Sequence, residues 1–325
     1  MHMGVGCPQA REPPTHAAPV AATVGHMEVG YGEPGAYVRR TLIARVGRRR
    51  VDADLRHGRL RRIWGGVLID SSRQLDVRTR AVAALLLCGP SAVICGKSAA
   101  WLHGCTAADT SDTHVLVPYE HPARTRPGLA VHNGPMPHDD LVELAGLRVL
   151  SVERTVADVL CTAQPREALA VTDQALALQP DEGREGFRAR LDQRLAGRAD
   201  PRGTKRAVWL LGLATGRAES PPESWLLLEV VDLRFPIPEV NWRLCGPDGR
   251  LIYRLDLAWP ELRIVLEYDG YAVHHGREAE DRARADDLRR RGWIVLTATK
   301  EDLRDSRRLE EALRAAFASR GYRRP

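Results

Sequence analysis

A short apolar run in the last third of the chain ends in side chains that could do chemistry. The stretch ELRIVLEYDGYAVHHGRE, residues 261–278, carries Glu267, Asp269, His274 and His275 directly after that run. Charged side chains lose favourable hydration on burial, and the cost is recovered only when they meet a partner. We therefore expect a common partner for these groups, either a bound cation or basic side chains.

A further carboxylate belongs to the strand that precedes this run. In LIYRLDLAW, residues 251–259, alternation and a turn after the strand bring Asp256 beside Glu267. Like charges at that distance repel unless a cation lies between them. Oxygen ligands suit Mg²⁺ or Mn²⁺, which would lower the pKa of bound water and stabilise the charge that develops in phosphodiester hydrolysis. The alternative is that arginines such as Arg254 and Arg263 neutralise the carboxylates.

Local signals predict the elements that position these residues. ESPPESWLLLEVVDL opens a helix, because Ser220 can cap it, Pro221 suits its first turn and Glu223 follows three residues after the cap. The segments EVNWRL, LIYRLDLAWP and ELRIVLEYDG predict a β-meander. An α/β domain over 217–325 is therefore expected to hold the carboxylates.

These motifs resemble a known family. EYDGYAVHH followed by DRARADDLRRRGWIVLTATKEDL is similar to the very-short-patch-repair-like branch of the restriction-endonuclease superfamily, over 217–318. The resemblance implies a restriction-endonuclease-like fold and an endonuclease activity that depends on a metal ion. The residues that it implies are Asp256 and Glu267 to hold the metal, Asp269 or Glu223 to complete or orient its shell, and His275 to transfer a proton.

One departure from that family bears on catalysis. The wider superfamily has a lysine two residues after the glutamate, where this chain has Asp269. The lysine would help to position the attacking water, so that His275 or Lys300 must supply its part if the site is active. The missing lysine favours a domain that has kept the fold and lost turnover.

Arginines dominate the chain between residues 39 and 62. Ten arginines occur there with only Asp52 and Asp54, so this window holds a larger positive excess than the whole chain, whose net charge is +6. Arginine pairs with phosphate oxygens through a planar fork and releases counterions on binding. The pattern predicts a DNA-binding surface, and the alternative is a solvated basic face. The contacts that we expect are Arg48, Arg49, Arg50, Arg59, Arg61 and Arg62.

The same window predicts two short helices and a hairpin. Tyr37, Leu42 and Ile43 recur at helical spacing in a run that Gly47 breaks, and Val51 to His57 can form a second short helix that Gly58 closes. RLRRIWGGVLID then alternates and turns at its glycine pair. Two helices followed by a small hairpin are typical of a winged helix-turn-helix, which we expect over 36–72.

Residues 73–197 predict a mixed α/β domain with little catalytic signal. DVRTRAVAALLLCG, KSAAWLHG, SVERTVADVLCTA and PREALAVTDQALAL have helical patterns, and HVLVPY and LAVHN read as strands. CGPSAVICGKS comes near a phosphate loop, but Ser91 stands where its first glycine is needed, which argues against nucleotide binding.

The first half of the chain carries a second resemblance. GRLRRIWGGVLID, GKSAAWLHG and SVERTVADVL look like the abortive-infection type IV antitoxin family, in which a winged helix precedes a mixed domain, over 36–165. The resemblance implies DNA binding for autoregulation through the arginines named above, and a toxin as partner protein.

Composition bounds the architecture. A chain of 325 residues with 44% hydrophobic residues is long enough for two or three domains. The absence of a run of 18 apolar residues predicts no membrane partner and a cytoplasmic location, and the irregular spacing of six cysteines predicts reduced core residues. The expected divisions are a disordered tail (1–35), a winged helix-turn-helix (36–72), a mixed α/β antitoxin-like domain (73–197), a linker with a connecting helix (198–216) and a restriction-endonuclease-like α/β domain (217–325).

The sequence leaves two functions open for this α+β multidomain protein. The first is a DNA-binding protein whose last domain hydrolyses phosphodiester bonds with Mg²⁺. The alternative is a non-catalytic DNA-binding regulator or type IV antitoxin-like protein with a degenerate nuclease fold.

Overall fold

The computed structural model describes residues 35–121, 123–269 and 278–322. Within these ranges the chain is an α+β protein with three β-sheets and eleven α-helices. None of the described helices combines the length and the apolarity that crossing a bilayer requires. Cys88, Cys95, Cys105 and Cys161 are buried free thiols, whereas Cys245, also expected in the core, is a half-buried free thiol.

The described residues form two compact units that are interleaved along the chain. The first unit holds 35–163 and Asp181–Val208, and the second unit holds Gln164–Pro180 and 209–322. The division expected from sequence, with a linker at 198–216, does not coincide with these units. The reason is that the helix within Gln164–Pro180 packs on a helix that follows residue 220.

The first unit begins with two short helices and a three-stranded antiparallel sheet. The sequence predicts the helices and a two-stranded hairpin, and Tyr37, expected in the first helix, lies instead in a third strand of the sheet. Gly47 separates the helices and has a φ of 87°, a conformation that glycine adopts without strain. The strand order is β1-β3-β2. The elements are β1 (Ala36–Val38), α1 (Arg39–Val46), α2 (Arg48–Arg56), β2 (Leu60–Trp64) and β3 (Val67–Asp70).

The two faces of this sheet are buried in different cores. One face packs on α1 and α2 in a small core that contains Leu42, Val51 and Leu60. The other face, with Trp64 and Ile69, joins the large core of the residues that follow. The two domains expected in the first half of the chain therefore share one core.

A five-stranded mixed sheet completes the first unit. Asp76 accepts a hydrogen bond from the Thr79 amide at 2.9 Å and begins the third helix, which Gly89 ends with a φ of 86°. The strand order is β6-β5-β4-β8-β7, and three of these strands, β4, β7 and β8, were not predicted. The elements are α3 (Val77–Cys88), β4 (Val93–Ile94), α4 (Gly96–Leu102), β5 (Thr113–Val117), β6 (Leu129–Asn133), β7 (Leu141–Leu144) and β8 (Leu147–Leu150).

Four helices follow, and they are shared between the units. Ser151 caps the first of them through the Arg154 amide at 3.3 Å. The first and third helices pack on each other in the first unit, and the second belongs to the second unit. The helices are α5 (Val152–Thr162), α6 (Pro165–Ala177), α7 (Arg184–Ala196) and α8 (Thr204–Leu213).

The second unit is built on a four-stranded sheet of order β12-β11-β10-β9. The first three strands form the predicted antiparallel meander, and β12 runs parallel to β11. The turn after Trp259 is one short 3₁₀ turn, Pro260–Leu262, in place of the expected tight turn. Trp293 is buried in the core of this unit. The elements are α9 (Pro221–Asp232), β9 (Glu239–Cys245), β10 (Leu251–Trp259), β11 (Ile264–Asp269), α10 (Glu278–Arg290), β12 (Ile294–Thr299) and α11 (Arg307–Ser319).

Candidate functional site

The six arginines predicted to contact DNA lie on α2, on β2 and on the residue before β2. All six are exposed. Three occupy the first turn of α2, because Gly47 breaks the chain direction just before them, and two lie on outward positions of β2. We call this group the arginine surface; its members are Arg48, Arg49, Arg50, Arg59, Arg61 and Arg62.

Two members of the arginine surface stabilise the fold. Asp54 on α2 is fully buried, and its oxygens accept hydrogen bonds from Arg50 Nε at 2.9 Å and Arg59 Nε at 2.6 Å. The two guanidinium groups therefore supply the partner that a buried carboxylate needs. A third member, Arg61, donates to the side chain of Gln74.

The remaining members are available for a ligand. Among the described residues none forms an ion pair or a side-chain hydrogen bond with Arg48, Arg49 or Arg62. Their forks project from the first turn of α2 and from β2. Unpaired guanidinium groups at such density repel one another, and an anionic ligand would relieve that repulsion.

Two of the predicted carboxylates of the second unit, Asp256 and Glu267, lie near each other on its sheet. Leu257 pairs with Leu266 in the antiparallel register, and the next positions outward are Asp256 and Glu267. Residues opposite each other in such a pair share a face of the sheet. Asp256 Oδ2 also accepts the backbone amide of Tyr268 at 2.9 Å.

Glu223 joins this group from the first turn of α9. Its Oε1 accepts the Ser220 hydroxyl at 2.8 Å and its Oε2 accepts the Glu219 amide at 2.7 Å. The hydroxyl of Ser220 therefore bonds to Glu223 and forms no hydrogen bond to the helix backbone, which corrects the expected capping role. We call Glu219, Glu223, Asp256 and Glu267 the carboxylate cluster.

Burial shifts the titration of the carboxylate cluster. It raises the pKa of Glu223 to about 7, an effect that the Glu219 amide opposes and the nearby charge of Asp256 reinforces. Burial likewise raises the pKa of Asp256 and of Glu267, while the Arg284 guanidinium lowers both. Raised carboxylate pKa values occur both at functional sites and in structural networks.

Arg284 on α10 is the cation that pairs with Glu267 of the carboxylate cluster. One of its terminal nitrogens, NH2, lies 2.5 Å from Glu267 Oε1 and 2.6 Å from the carbonyl oxygen of Arg254. Its guanidinium carbon is 5.3 Å from the centre of the Tyr253 ring. The sequence pointed to Arg254 and Arg263. Arg254 pairs with Glu219 of the carboxylate cluster at 2.9 Å, whereas Arg263 donates to a backbone carbonyl at 3.5 Å.

Sequence reasoning missed Arg284 and Glu219. Arg284 lies 17 residues from Glu267 and reaches it only because α10 packs beside the sheet, so that no local spacing marks the pair. Glu219 precedes the cap of α9, where an acidic residue carries no distinctive signal.

The described residues do not by themselves form a ligand set for a divalent ion. No three His, Cys, Asp or Glu side chains within 35–121, 123–269 and 278–322 are arranged to hold a metal. Asp269 is exposed at the end of β11, and Glu267 is engaged by Arg284. His274 and His275, the latter expected to transfer a proton, lie outside the described residues.

Comparison with known proteins supports one of the two resemblances. Residues 92–213 match the family model described as AbiEi antitoxin C-terminal domain. Two Mycobacterium tuberculosis proteins, "Uncharacterized protein Rv2248" of strain H37Rv and "Uncharacterized protein MT2308" of strain CDC 1551, are each 30% identical over 261 residues. These residues make up 79% of this chain and 92% of each relative.

Residues 92–213 are therefore a domain of the AbiEi antitoxin C-terminal type. The chain belongs to the same family as these two mycobacterial proteins. The solved structure titled "Crystal structure of RV2827C protein from Mycobacterium tuberculosis" is 16% identical, with a TM-score of 0.39, and covers 66% of this chain and 85% of that chain. None of these matches names a restriction-endonuclease-like domain.

Proposed function

We propose that this chain is a DNA-binding regulator of the AbiEi antitoxin type. The proposal extends the family match at residues 92–213 to the arginine-rich residues that precede it. In it, the chain binds duplex DNA through the arginine surface and acts with a toxin as its partner protein.

The order of elements supports a winged helix-turn-helix as the DNA-binding part. In that motif a second helix enters the major groove with its N-terminal residues at the base edges, and a hairpin follows. Here α2 would be the recognition helix and the β2–β3 hairpin the wing. The first turn of α2 carries Arg48 and Arg49, and β2 carries Arg62.

The observation that carries the proposal is the group of exposed arginines without described partners. Each guanidinium that meets a phosphate displaces condensed counterions, so that the logarithm of the binding constant falls by about 0.9 per contact for each tenfold rise in salt. Removal of a real contact must therefore reduce both affinity and this salt slope.

The test is DNA binding by the full chain, measured by fluorescence anisotropy between 50 and 300 mM salt. The variant Arg48→Ala/Arg49→Ala/Arg62→Ala is expected to bind roughly 100-fold more weakly at low salt, with a slope reduced by about 2.7 if all three contact phosphates. The matched control is Arg289→Ala/Arg290→Ala/Arg291→Ala, which removes the same charge from arginines that are paired with Asp286 or Asp287. If the two variants lose DNA affinity and salt slope equally, the loss comes from the lower net charge and not from specific contacts of the arginine surface.

The partner protein is tested separately. The tagged chain is expressed in its own host, and proteins that remain bound are identified. A copurifying protein that arrests growth when it is expressed alone, and that this chain neutralises, fits the proposal. If the chain binds DNA under the same conditions but copurifies with no such protein, the proposed role as an antitoxin is contradicted.

A second candidate function is phosphodiester hydrolysis by the second unit. The observation that favours it is the convergence of Glu223, Asp256 and Glu267 with raised carboxyl pKa values. In this candidate Asp256, Glu267, Asp269 and Glu223 hold Mg²⁺ or Mn²⁺, and His275 transfers a proton. The pairing of Glu267 with Arg284 counts against it.

Supercoiled plasmid separates the two candidates. Nicking that requires Mg²⁺ or Mn²⁺, stops with EDTA and is lost in Glu267→Ala and in Asp256→Ala would establish the nuclease. Intact plasmid that is nevertheless shifted equally by the wild type and both variants would leave the regulator as the function.

A further inference from the structure

A small basic hollow lies in the first unit, outside the residues that sequence reasoning selected. Its volume is about 500 Å³, and its walls come from the C-terminal end of α3 and from the loop that connects β5 to β6. Two arginines and a histidine line it, and no acidic side chain is among its lining residues. We call it the Arg124 hollow; it is lined by Leu87, Cys88, His121, Ala123, Arg124 and Arg126.

The loop that carries the two arginines is held in position by its backbone. The amides of Arg126 and Leu129 each donate to the carbonyl oxygen of the other residue at 2.9 Å. The Trp64 indole donates to the carbonyl of Pro127 at 2.9 Å, and the hydroxyl of Thr125 accepts the Val131 amide at 3.0 Å. The guanidinium groups are thus presented from a fixed base, which lowers the entropy that a ligand must overcome.

Both guanidinium groups of the Arg124 hollow are free to bind an anion. Arg124 and Arg126 are exposed, and no residue of the described ranges forms an ion pair with either. Burial raises the pKa of the Cys88 thiol in the wall of the hollow, and the positive charge of Arg126 partly opposes that rise. Two adjacent planar forks are the arrangement that phosphate oxygens recognise.

His121 adds a hydrogen-bonding group to the same hollow. Its Nδ1 lies 3.2 Å from the hydroxyl oxygen of Ser91. When that hydroxyl donates to Nδ1, the neutral imidazole carries its proton on Nε2 and can donate it to a ligand. Ser91 would thereby position the His121 ring, although the glycine spacing around Ser91 does not match a phosphate loop.

The hollow opens beside the turn between β2 and β3. A Cβ atom placed on Gly65 in that turn would lie 3.9 Å from a terminal nitrogen of Arg126 and 3.2 Å from a methyl carbon of Leu87. The hairpin that carries Arg61 and Arg62 therefore leads directly to the rim of the hollow. A duplex held on the arginine surface would pass its backbone close to this rim.

We infer that the Arg124 hollow binds a backbone phosphate of the duplex that the arginine surface holds. Arg124 and Arg126 contact the phosphate oxygens, and His121 donates a hydrogen bond to the same group. That the phosphate belongs to DNA rests on the proposed function. That the hollow can bind a phosphate group does not. The hollow lengthens the DNA footprint beyond the hairpin into the part of the chain that matches the antitoxin family.

The test compares the full-length wild type with Arg124→Ala/Arg126→Ala in the same salt titration with a 24-base-pair duplex. We expect roughly tenfold weaker binding at 50 mM salt and a slope reduced by about 1.8. Arg190→Ala/Arg202→Ala removes the same charge from exposed, ion-paired arginines of the first unit and is expected to leave the slope unchanged. Arg124→Lys/Arg126→Lys keeps the charge without the forks and should keep the slope while losing part of the affinity.

A second measurement identifies the source of the phosphate. Inorganic phosphate and adenosine monophosphate are titrated into the wild type and into Arg124→Ala/Arg126→Ala by calorimetry. A wild type that binds DNA and a double alanine variant with the same affinity and slope would overturn the inference and leave the proposed function standing. If the wild type does not bind DNA, the proposed function fails. The hollow is then supported only if phosphate or the monophosphate binds the wild type and not the variant, and it is overturned if neither binds.

Discussion

The arginine surface of the first unit and helix α10 of the second unit are both rich in arginine, and they differ in how those arginines are neutralised. On α10 and just after it, Arg284 pairs with Glu267, and Arg289, Arg290 and Arg291 pair with Asp286 or Asp287. On the arginine surface one buried carboxylate, Asp54, serves two arginines, and three others have no described partner. Two arginine-rich regions therefore differ in charge: one is a charge-balanced face, and the other keeps an excess of positive charge.

The comparison indicates what an arginine cluster can predict. A run such as DRARADDLRRR contains its own counter-ions at positions three and four apart, where helical side chains meet. The run RRRVDADLRHGRLRR contains too few, and one of its two aspartates is already committed inside the fold. The ratio of arginine to nearby carboxylate is more informative than the number of arginines, and variants that change this ratio test the difference.

The largest effect is expected at the neutralised site of the second unit. Arg284→Ala leaves Glu267 among raised-pKa carboxylates without its cation, and we expect a loss of about 2 kcal/mol in the free energy of unfolding. The loss falls below the range for fully buried pairs, because the Glu267 side chain keeps 23% of its exposure. Urea unfolding followed by tryptophan fluorescence measures it.

Two further variants show how much of that loss in stability comes from the unpaired charge of Glu267. Glu267→Gln in the Arg284→Ala background removes the unpaired charge and should recover about half of the stability. Arg289→Ala removes an exposed pair and should change the free energy of unfolding by less than about 0.5 kcal/mol. If Arg284→Ala costs no more than Arg289→Ala, the ion pair with Glu267 contributes no more than a surface pair does.

A smaller effect is expected where the arginine surface is tied to the fold. Asp54→Asn removes the buried charge that Arg50 and Arg59 neutralise, and both arginines can then be solvated. We expect a cost of about 1 kcal/mol in stability, near the low end for such changes, and a several-fold gain in DNA affinity. The control Asp52→Asn removes the same charge from a half-exposed pair with Arg39. Equal gains in affinity for the two variants would show that Arg50 and Arg59 add nothing specific once they are released.

The local structure of both regions follows from sequence signals. Gly47 ends α1 and Gly58 closes α2, because each adopts the positive φ that an L-residue rarely takes. The alternation in residues 251–259 places Asp256 opposite Glu267, because a register error of one residue would turn the apolar side chains to the wrong face. These expectations depended on neighbours within a few positions.

The features that sequence reasoning missed depend on distant contacts. Arg284 meets Glu267 only after α10 packs, and α6 joins the second unit through its contact with α9, more than 40 residues away. The strand β4 has two residues, too few for a periodic pattern to detect. The Arg124 hollow was missed because its arginines and its histidine lie in an irregular loop, and its remaining wall comes from the distant end of α3.

A further effect is a dependence of stability on pH that originates in the carboxylate cluster. Burial raises the pKa of Glu223 from its ordinary value of 4.5 to about 7 in the folded chain. Between these values the folded state binds more protons than the unfolded state, so that stability falls as pH rises. The contribution of Glu223 is fully present below pH 4.5 and is lost as pH passes through about 7. The raised pKa values of Asp256 and Glu267 act in the same direction.

Glu223→Gln should remove most of this slope, since a neutral amide cannot titrate and can still accept the Ser220 hydroxyl. The wild type is expected to lose at most about 1 kcal/mol per pH unit between pH 5 and 7, and the variant clearly less. Urea unfolding at half-unit steps of pH measures both, and Glu261→Gln, at an exposed position of the same unit, should keep the slope of the wild type. If the slope persists in Glu223→Gln, the titrating groups are Asp256 and Glu267. Protonation of these two carboxylates would then compete with their interaction with Arg284.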